Sequence, residues 1–358
     1  MLISPELRAA AEKCFAMAYP FAVVFMPQSE DAVFFACEKA VCPDEAHGDF
    51  FMISSFGGYD ASRMPLAVLQ QYSVADILSI KENTETNISE EITEQSTDRD
   101  TYRTIINNVV NDMPGQYAKV VIARQIIAET SVSPLEIAEE YFTQFPTCMR
   151  SIFYTPQTGL WITSTPEVLI DYRSDLSELN TMSLAGTRRR GETDWDLKNC
   201  REHEIVTDYI VSILESAGME VHTSGPESIS FGCIEHLCNR IRATGKINPV
   251  ELAISLSPTP AVGGWPVADA LKTIAHYENF DRGCYGGFLG MVNNQSCCLY
   301  VNLRCGQLLG KNNNNFTWRL ISGGGITSMS DADTEWAETE NKISPLLNIL
   351  TEKTLSLT

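Results

Sequence analysis

The chain has 358 residues, 44% of them apolar, with 26 basic against 46 acidic side chains and a formal net charge of -20. Such a length and apolar share suffice for a large buried core, built as one big domain or as two ordinary ones. A charge so negative argues against a nucleic-acid partner, because phosphates need a basic face, and any anionic substrate must be met by local positive charge or a metal.

The start, Met1-Leu2-Ile3-Ser4-Pro5-Glu6-Leu7-Arg8, lacks the charged-then-apolar pattern of a signal peptide, and no stretch approaches the ~18 apolar residues of a membrane span. A cytoplasmic protein with no membrane partner is expected. The eleven cysteines are scattered, odd in number and without a Cys-x-x-Cys pair, so they read as small buried hydrophobes. Cys233, His236 and Cys238 lack the paired spacing of a structural zinc site.

Residues 1–80 mix apolar runs such as Phe21-Ala22-Val23-Val24-Phe25 with Gly, Pro and Asp breaks, which predicts strands joined by turns. From Lys81 to Asp100 the chain is polar and acidic, with Glu82, Glu85, Glu90, Glu91 and Glu94, and reads as an exposed connection. Thr97 and then Asp100 suggest a helix N-cap, followed by Tyr102, Ile105, Val109 and Met113 at helical spacing and a stop at Pro114-Gly115.

Lys119 to Arg124 is a β-branched run with a charge at each end, the pattern of a buried strand. Further strands are expected at Ser151 to Ile162 and Val168 to Tyr172 with Pro166-Glu167 before the latter, and at Tyr285 to Arg304 and Thr317 to Ile321. Asn312 to Asn315 reads as a hairpin turn. Trp195 to Ala217 and Asp333 to Leu350 are the two longest helical patterns.

Glu202 falls on the apolar stripe of the first of these helices and points to the core, where a carboxylate needs a cation, a metal or a raised pKa; partial solvation near the helix start is the alternative. Glu335, Glu338 and Lys342 share a face of the second helix, and on that segment alone an exposed Glu-to-Lys pair is the simpler account. Ser322-Gly323-Gly324-Gly325-Ile326 could bring backbone N–H groups close to an anion or form a plain tight turn. Two inward carboxylates from different helices would suit a hard cation such as Mg²⁺.

Eight segments in fixed order then carry a resemblance: Ala118 to Arg124, Ser164-Thr165-Pro166-Glu167, Leu184-Ala185-Gly186-Thr187-Arg188, Glu202-His203-Glu204, Pro258-Thr259-Pro260-Ala261-Val262-Gly263-Gly264, Arg282-Gly283-Cys284-Tyr285-Gly286-Gly287, Ser322 to Ile326, and Glu335-Trp336-Ala337-Glu338 with Lys342. Together they resemble the chorismate-utilising enzymes, which include isochorismate, salicylate, anthranilate and aminodeoxychorismate synthases. The resemblance runs from about Thr97 to Leu350 and implies an α+β fold, one large unit of two packed β-rich halves with helices outside. Residues 1–96 are expected to add strands to that unit, and residues 97–358 to form the chorismate-binding catalytic region, as a monomer.

The resemblance also implies roles. Lys119 matches the water-activating lysine of the isochorismate and salicylate enzymes, and Glu167 the general acid. Ala185 stands where aminodeoxychorismate synthases carry a nucleophilic lysine, and the Pro258 to Gly264 run is similar to the isochorismate branch. Isochorismate formation is therefore the implied activity, for menaquinone or siderophore biosynthesis, with salicylate synthase or a non-catalytic chorismate binder as alternatives. Ala185, Gly186, Thr187, Tyr285, Arg304 and Lys342 would touch substrate, with Gly323, Gly324 and Gly325 donating N–H groups to a carboxylate. Glu202 and Glu338 would hold Mg²⁺, with Glu335 and Glu204 on its waters. Ser257, Thr165 and Cys284 depart from the commoner residues of these segments without removing a catalytic side chain.

Overall fold

Short β-branched and aromatic runs dominate the sequence, and in the structure, a computed structural model, they pair into two antiparallel eight-stranded sheets. The residues described are 2–57, 65–81, 93–113, 118–192, 194–232, 234–312 and 315–356. The first part of the chain runs α1 (Pro5–Ala16), β1 (Phe21–Phe25), β2 (Ala32–Ala36), β3 (Phe50–Ile53), β4 (Leu66–Leu69) and α2 (Val74–Ser79). Next come α3 (Arg99–Asp112), β5 (Lys119–Thr130), α4 (Pro134–Gln144), β6 (Met149–Thr155), β7 (Gly159–Thr165), β8 (Val168–Arg173), β9 (Glu178–Arg189) and α5 (Leu197–Ser216). The hairpin β10 (Glu220–Phe231) and β11 (Ile234–Thr244) leads to α6 (Pro249–Leu256), β12 (Gly264–Trp265) and α7 (Val267–Tyr277). The chain then continues through β13 (Phe288–Val292), β14 (Ser296–Val301), β15 (Cys305–Asn312), β16 (Asn315–Ile326) and α8 (Ala332–Ser356).

The first sheet has the order β12-β5-β16-β15-β7-β6-β1-β2 and the second β10-β11-β9-β8-β14-β13-β3-β4. Their facing sides share one apolar layer, with Val24, Phe35, Phe153, Trp161 and Ile321 from the first sheet meeting Phe51, Ile53, Leu289 and Tyr300 from the second. Helices α1, α4 and α8 bury Leu7, Ala11, Ile137, Tyr141, Leu346 and Ile349 against the outside of the first sheet. Helices α5, α6 and α7 cover the second sheet and the β5 edge with Val206, Ile210, Leu252 and Ile274. The α+β class and the two β-rich halves with outer helices are as expected. Strands β1 and β2 extend the first sheet beside β6, and β3 and β4 extend the second beside β13, so residues before 97 feed both sheets.

Several local expectations need correction. The first 80 residues are not strands alone: Ser4 caps α1 by accepting from the Leu7 N–H, and Pro5 sits in its first turn, where a missing N–H costs nothing. Asp98, not Thr97, caps α3, because its carboxylate accepts from the Thr101 N–H at 2.8 Å, whereas the Thr97 hydroxyl accepts from the Gln125 N–H. Tyr285 and Arg304 lie outside strands: β13 starts at Phe288, and β14 ends at Val301. Of the acidic connection, residues 82–92 fall outside the described residues, as do Pro114-Gly115, Asn313-Asn314 and Cys233.

Strand β5 is fixed from its free edge by a buried ion pair. Arg282 donates to both oxygens of Glu278, at 2.7 and 2.5 Å, and to the carbonyls of Val262 and Val121, while Glu278 accepts from the Ala123 N–H at 2.7 Å. Both side chains are 2% exposed. Removing one partner leaves the other charge buried without its mate, which typically costs about 3–5 kcal/mol. Glu278→Ala is therefore expected to lower the urea unfolding free energy by about that amount, and Glu278→Ala/Arg282→Met by less; equal losses in the two would show that the pair does not act as a unit.

Candidate active site

Two of the places where the chain crosses between the sheets are neighbours, and the candidate site is built around them. Thr165-Pro166-Glu167 carries it from β7 to β8, and Asn302-Leu303-Arg304 carries it back from β14 to β15. The crossings are tied together: the Val301 N–H donates to the Glu167 carbonyl at 2.9 Å, the Thr165 hydroxyl to the Val301 carbonyl at 2.6 Å, and the Thr163 hydroxyl to the Leu303 carbonyl at 2.9 Å. Arg304 holds a left-handed backbone, φ +46°, an uncommon conformation for a residue with a side chain.

These crossings open onto a cavity of about 630 Å³, its mouth included, lined by Glu167, Ala185, Gly186, Thr187, Glu202, His236, Tyr285, Arg304, Gly323, Gly325 and Lys342 with apolar neighbours such as Leu184, Leu303 and Ile321. Gly186 enters the wall as a bulge: β11 pairs His236 with Thr187 and then Leu237 with Ala185, leaving Gly186 unpaired at φ +73°. The Thr187 N–H donates to the Asn199 side chain at the start of α5, so this turn is anchored on the helix that carries Glu202.

Period-two alternation sends Lys119 and Arg124 of β5 to opposite faces. Arg124 packs over Trp336 at 3.8 Å and donates to Thr339, both on α8. Lys119 is fully buried, with its Nζ 3.0 Å from Glu202 Oε1 and no aligned hydrogen-bond acceptor among the described residues. It lies behind Glu202 rather than on the cavity wall. Burial lowers the Lys119 pKa from its ordinary value, and Glu202 pulls back only in part. Burial raises that of Glu167 to about 8, against the attraction of Lys119 and Lys342. For Glu202 burial acts upward too, but Lys119 and Lys198 overcome it and hold the carboxyl at about 2.

Four further carboxylate and ammonium groups complete the cluster. Lys198 places its Nζ 2.9 Å from Glu335 Oε1 and 3.3 Å from Glu202 Oε2. Lys342 donates to Glu338 at 2.6 Å and to the Gly323 carbonyl at 3.0 Å. Burial raises the Glu335 carboxyl to about 7, with Lys198 opposing; its Oε1 accepts from Ser330, and its Oε2 is buried with no hydrogen-bond partner among the described residues. Neither Glu335 nor Glu338 lines the cavity itself.

The glycine run is a strand, not a turn, and it does different work from the expected nest of N–H donors. Gly323 to Gly325 pair with Ala123 to Val121 of β5, so alternate backbone groups are committed to that ladder. A β-carbon on Gly325 would stand 2.1 Å from Glu202 Oε1, and one on Gly324 2.8 Å from Glu335 Oε2. The missing side chains thus let two carboxylates lie against the strand. Gly324 faces Glu335 and is absent from the cavity wall. A similar close approach explains Gly264, whose β-carbon would meet the Lys119 carbonyl at 2.4 Å where β12 pairs with β5.

Glu204 lies outside the cluster: two residues beyond Glu202 on a helix is more than half a turn around, and Glu204 is exposed and paired with Arg201 at 3.1 Å. Arg188 pairs with Glu235 and stacks on Trp195, while Arg189 and Arg190 are exposed. Two cavity-side groups escaped the sequence reading. His236 accepts at Nε2 from Arg304 Nη2 at 3.0 Å and donates from Nδ1 to the Gly186 carbonyl at 3.0 Å, a pairing that fixes the ring neutral; burial with the nearby Arg304 charge takes its pKa to about 3. Lys198 precedes Glu202 by one helical turn, and that i,i+4 spacing is the signal that could have marked it.

The isochorismate synthase EntC of Escherichia coli K12 is 31% identical over 254 residues, which cover 65% of this chain and 62% of that protein. The isochorismate synthase MenF of Bacillus subtilis is 30% identical over 254 residues, 66% of this chain and 52% of that one. The match thus spans less than two thirds of these relatives. Among solved structures, the menaquinone-specific isochorismate synthase MenF of Escherichia coli superposes with a TM-score of 0.77 at 21% identity, over 96% of this chain and 91% of that one, a likeness of fold. Residues 60–351 match the chorismate binding enzyme family, and with the two-sheet fold and the cavity between its sheets this chain belongs to that family.

Proposed function

We propose that the protein is an isochorismate synthase, which converts chorismate to isochorismate with Mg²⁺. The observation that carries this reading is a buried carboxyl driven towards protonation, Glu167, on the cavity wall, with a buried lysine driven towards neutrality, Lys119, directly behind Glu202 of the same wall. Moving a hydroxyl around a ring needs one base and one acid at the same time. In the proposed reaction a water oxygen adds at C2 and gives its proton to Lys119, while the two ring double bonds shift towards C4. The C4–O bond breaks, and the hydroxyl leaves as water with the proton of Glu167. One water enters and one leaves, so the ring is isomerised.

Arg304, held by His236, is assigned to the side-chain carboxylate of the substrate, which a guanidinium fork suits. Tyr285, Lys342, Ala185, Gly186, Thr187, Gly323 and Gly325 are assigned to the walls around it. The donor set for Mg²⁺ is Glu202 and Glu338 with Glu335 beside them. All are oxygen ligands, and the partnerless Glu335 Oε2 fits such an ion. Among the described residues no three acidic, imidazole or thiol groups form a ready cage; Mg²⁺ commonly takes one or two carboxylates and completes its shell with water and substrate. When bound there it would neutralise the ring carboxylate and draw electron density from the ring.

Among the described residues no helix is long and apolar enough to cross a membrane, which agrees with a cytoplasmic assignment. We assign the chemistry to residues 97–358 of a monomer, with residues 1–96 as supporting edge strands, and place the product ahead of menaquinone, in keeping with the MenF relatives.

Purified protein with chorismate and Mg²⁺ is expected to yield isochorismate by chromatography; substantial salicylate and pyruvate would instead identify a salicylate synthase. Lys119→Ala and Glu167→Gln should each lose about 10²–10⁴-fold in kcat with the fold intact by circular dichroism; unchanged rates in both would overturn the acid and base assignments. Glu167 acts only when protonated, and it ionises as pH rises through about 8. The kcat of the unmodified protein should therefore fall on the alkaline side of that value, and a flat profile through it would remove Glu167 as the acid.

A further inference from the structure

The ammonium of Lys198, on α5, stands where the carboxylates of Glu202 and Glu335 converge, 3.3 Å from one and 2.9 Å from the other, and so bridges α5 to α8. Its position is unusual for a cation. Asp196 caps α5, so Lys198 is the second residue of the helix, where the positive end of the helix dipole disfavours a lysine. Its side chain is 14% exposed, so it can reach solvent by rotating about its own bonds, whereas Lys119 is sealed at 0%. The two carboxylates therefore keep Lys198 inside against its local preference.

We propose that Lys198 is a built-in counter-cation that competes with the divalent metal for Glu202 and Glu335, and swings out to solvent when the metal loads. This rests on the metal reading given above. The Lys198 ammonium lies against Glu202 Oε2, the oxygen that Lys119 leaves open, and against Glu335 Oε1, which Ser330 also bonds, so a divalent ion drawn between the two carboxylates meets the ammonium at Glu202. Lys198 would thus hold the carboxylates together in the metal-free protein and set a threshold that the free metal concentration must exceed.

The test is direct binding of Mn²⁺ to the full chain without chorismate, read by the loss of the free-ion electron paramagnetic resonance signal. Lys198→Met is expected to bind Mn²⁺ about tenfold more tightly than the unmodified protein, and to show a larger rise in melting temperature on adding the ion. Lys198→Arg, which keeps the charge and guards against misfolding of the first variant, is expected to bind no more tightly than the unmodified protein. Glu202→Gln should abolish this binding in every background. If Mn²⁺ binds in a Glu202-dependent way but with equal or weaker affinity in Lys198→Met, Lys198 is a structural bridge only and the inference falls alone. If no variant shows Glu202-dependent binding, the metal reading falls and takes the inference with it.

Discussion

A lysine without access to water must find a counter-charge or give up its proton, and the burial of Lys119 beside Glu202 is the constraint from which the site follows. Their contact demands that a helix carboxylate come within reach of a strand residue, which brings the start of α5 against the end of β16. Only a strand without side chains permits that approach, and Gly325 supplies it. The same closeness brings α8 down over Gly324, so Glu335 joins the cluster and Lys198 is drawn in to balance it. Strand β5 must then be immobile, and the Arg282–Glu278 pair grips it from the edge through two of its backbone groups, the Ala123 N–H and the Val121 carbonyl.

The placement of the remaining groups follows from the architecture. Two stacked sheets have a dry seam between them, and the chain must leave the ladder wherever it passes from one sheet to the other. Glu167 and Arg304 sit at two such passages, which lie side by side and bond to one another. Backbone freed from pairing can hold conformations that a strand cannot, as the left-handed Arg304 does, and its side chain is then aimed by His236 into the cavity instead of along a sheet face. The cavity is thus half a product of strand alternation, through Lys119, and half a product of interrupted pairing, through Glu167, Arg304 and the Gly186 bulge.

That division explains what could be read from the sequence. Periodicity located the inward face of α5 and hence Glu202, and the β-branched run located β5 with its two charged ends; alternation alone then separates Lys119 from Arg124. The fold class and the grouping of distant residues came from the resemblance, since no local pattern brings Glu167 to Lys119 across the chain. Residues whose role depends on tertiary contact were lost. His236 was weighed only with Cys233 and Cys238 as a zinc ligand, Lys198 drew no reading, and the glycine run left an anion site or a tight turn open because no local pattern shows the carboxylates of Glu202 and Glu335 lying against it. Helix α1 was a different failure: its Ser4-Pro5 start was a local signal that the strand-like run after it outweighed.

The proposed proton traffic also draws on burial in a way that neither residue could achieve alone. Before reaction a neutral Lys119 and a protonated Glu167 suit the dry seam, because neither carries a charge that needs water. After water has added and the hydroxyl has left, the lysine is an ammonium and the glutamate a carboxylate, and desolvation penalises both. Their mutual attraction offsets part of that penalty but not all of it, since burial is the largest influence on each. Burial thus works against the enzyme form left by the reaction and favours return of the proton from Lys119 to Glu167 once product leaves. A drier seam would speed that reset and hinder the chemical step that precedes it, because the same ion pair must form on the way. The partial compensation by Glu202 and Lys342, one favouring the charged lysine and the other the charged glutamate, keeps the two demands in balance.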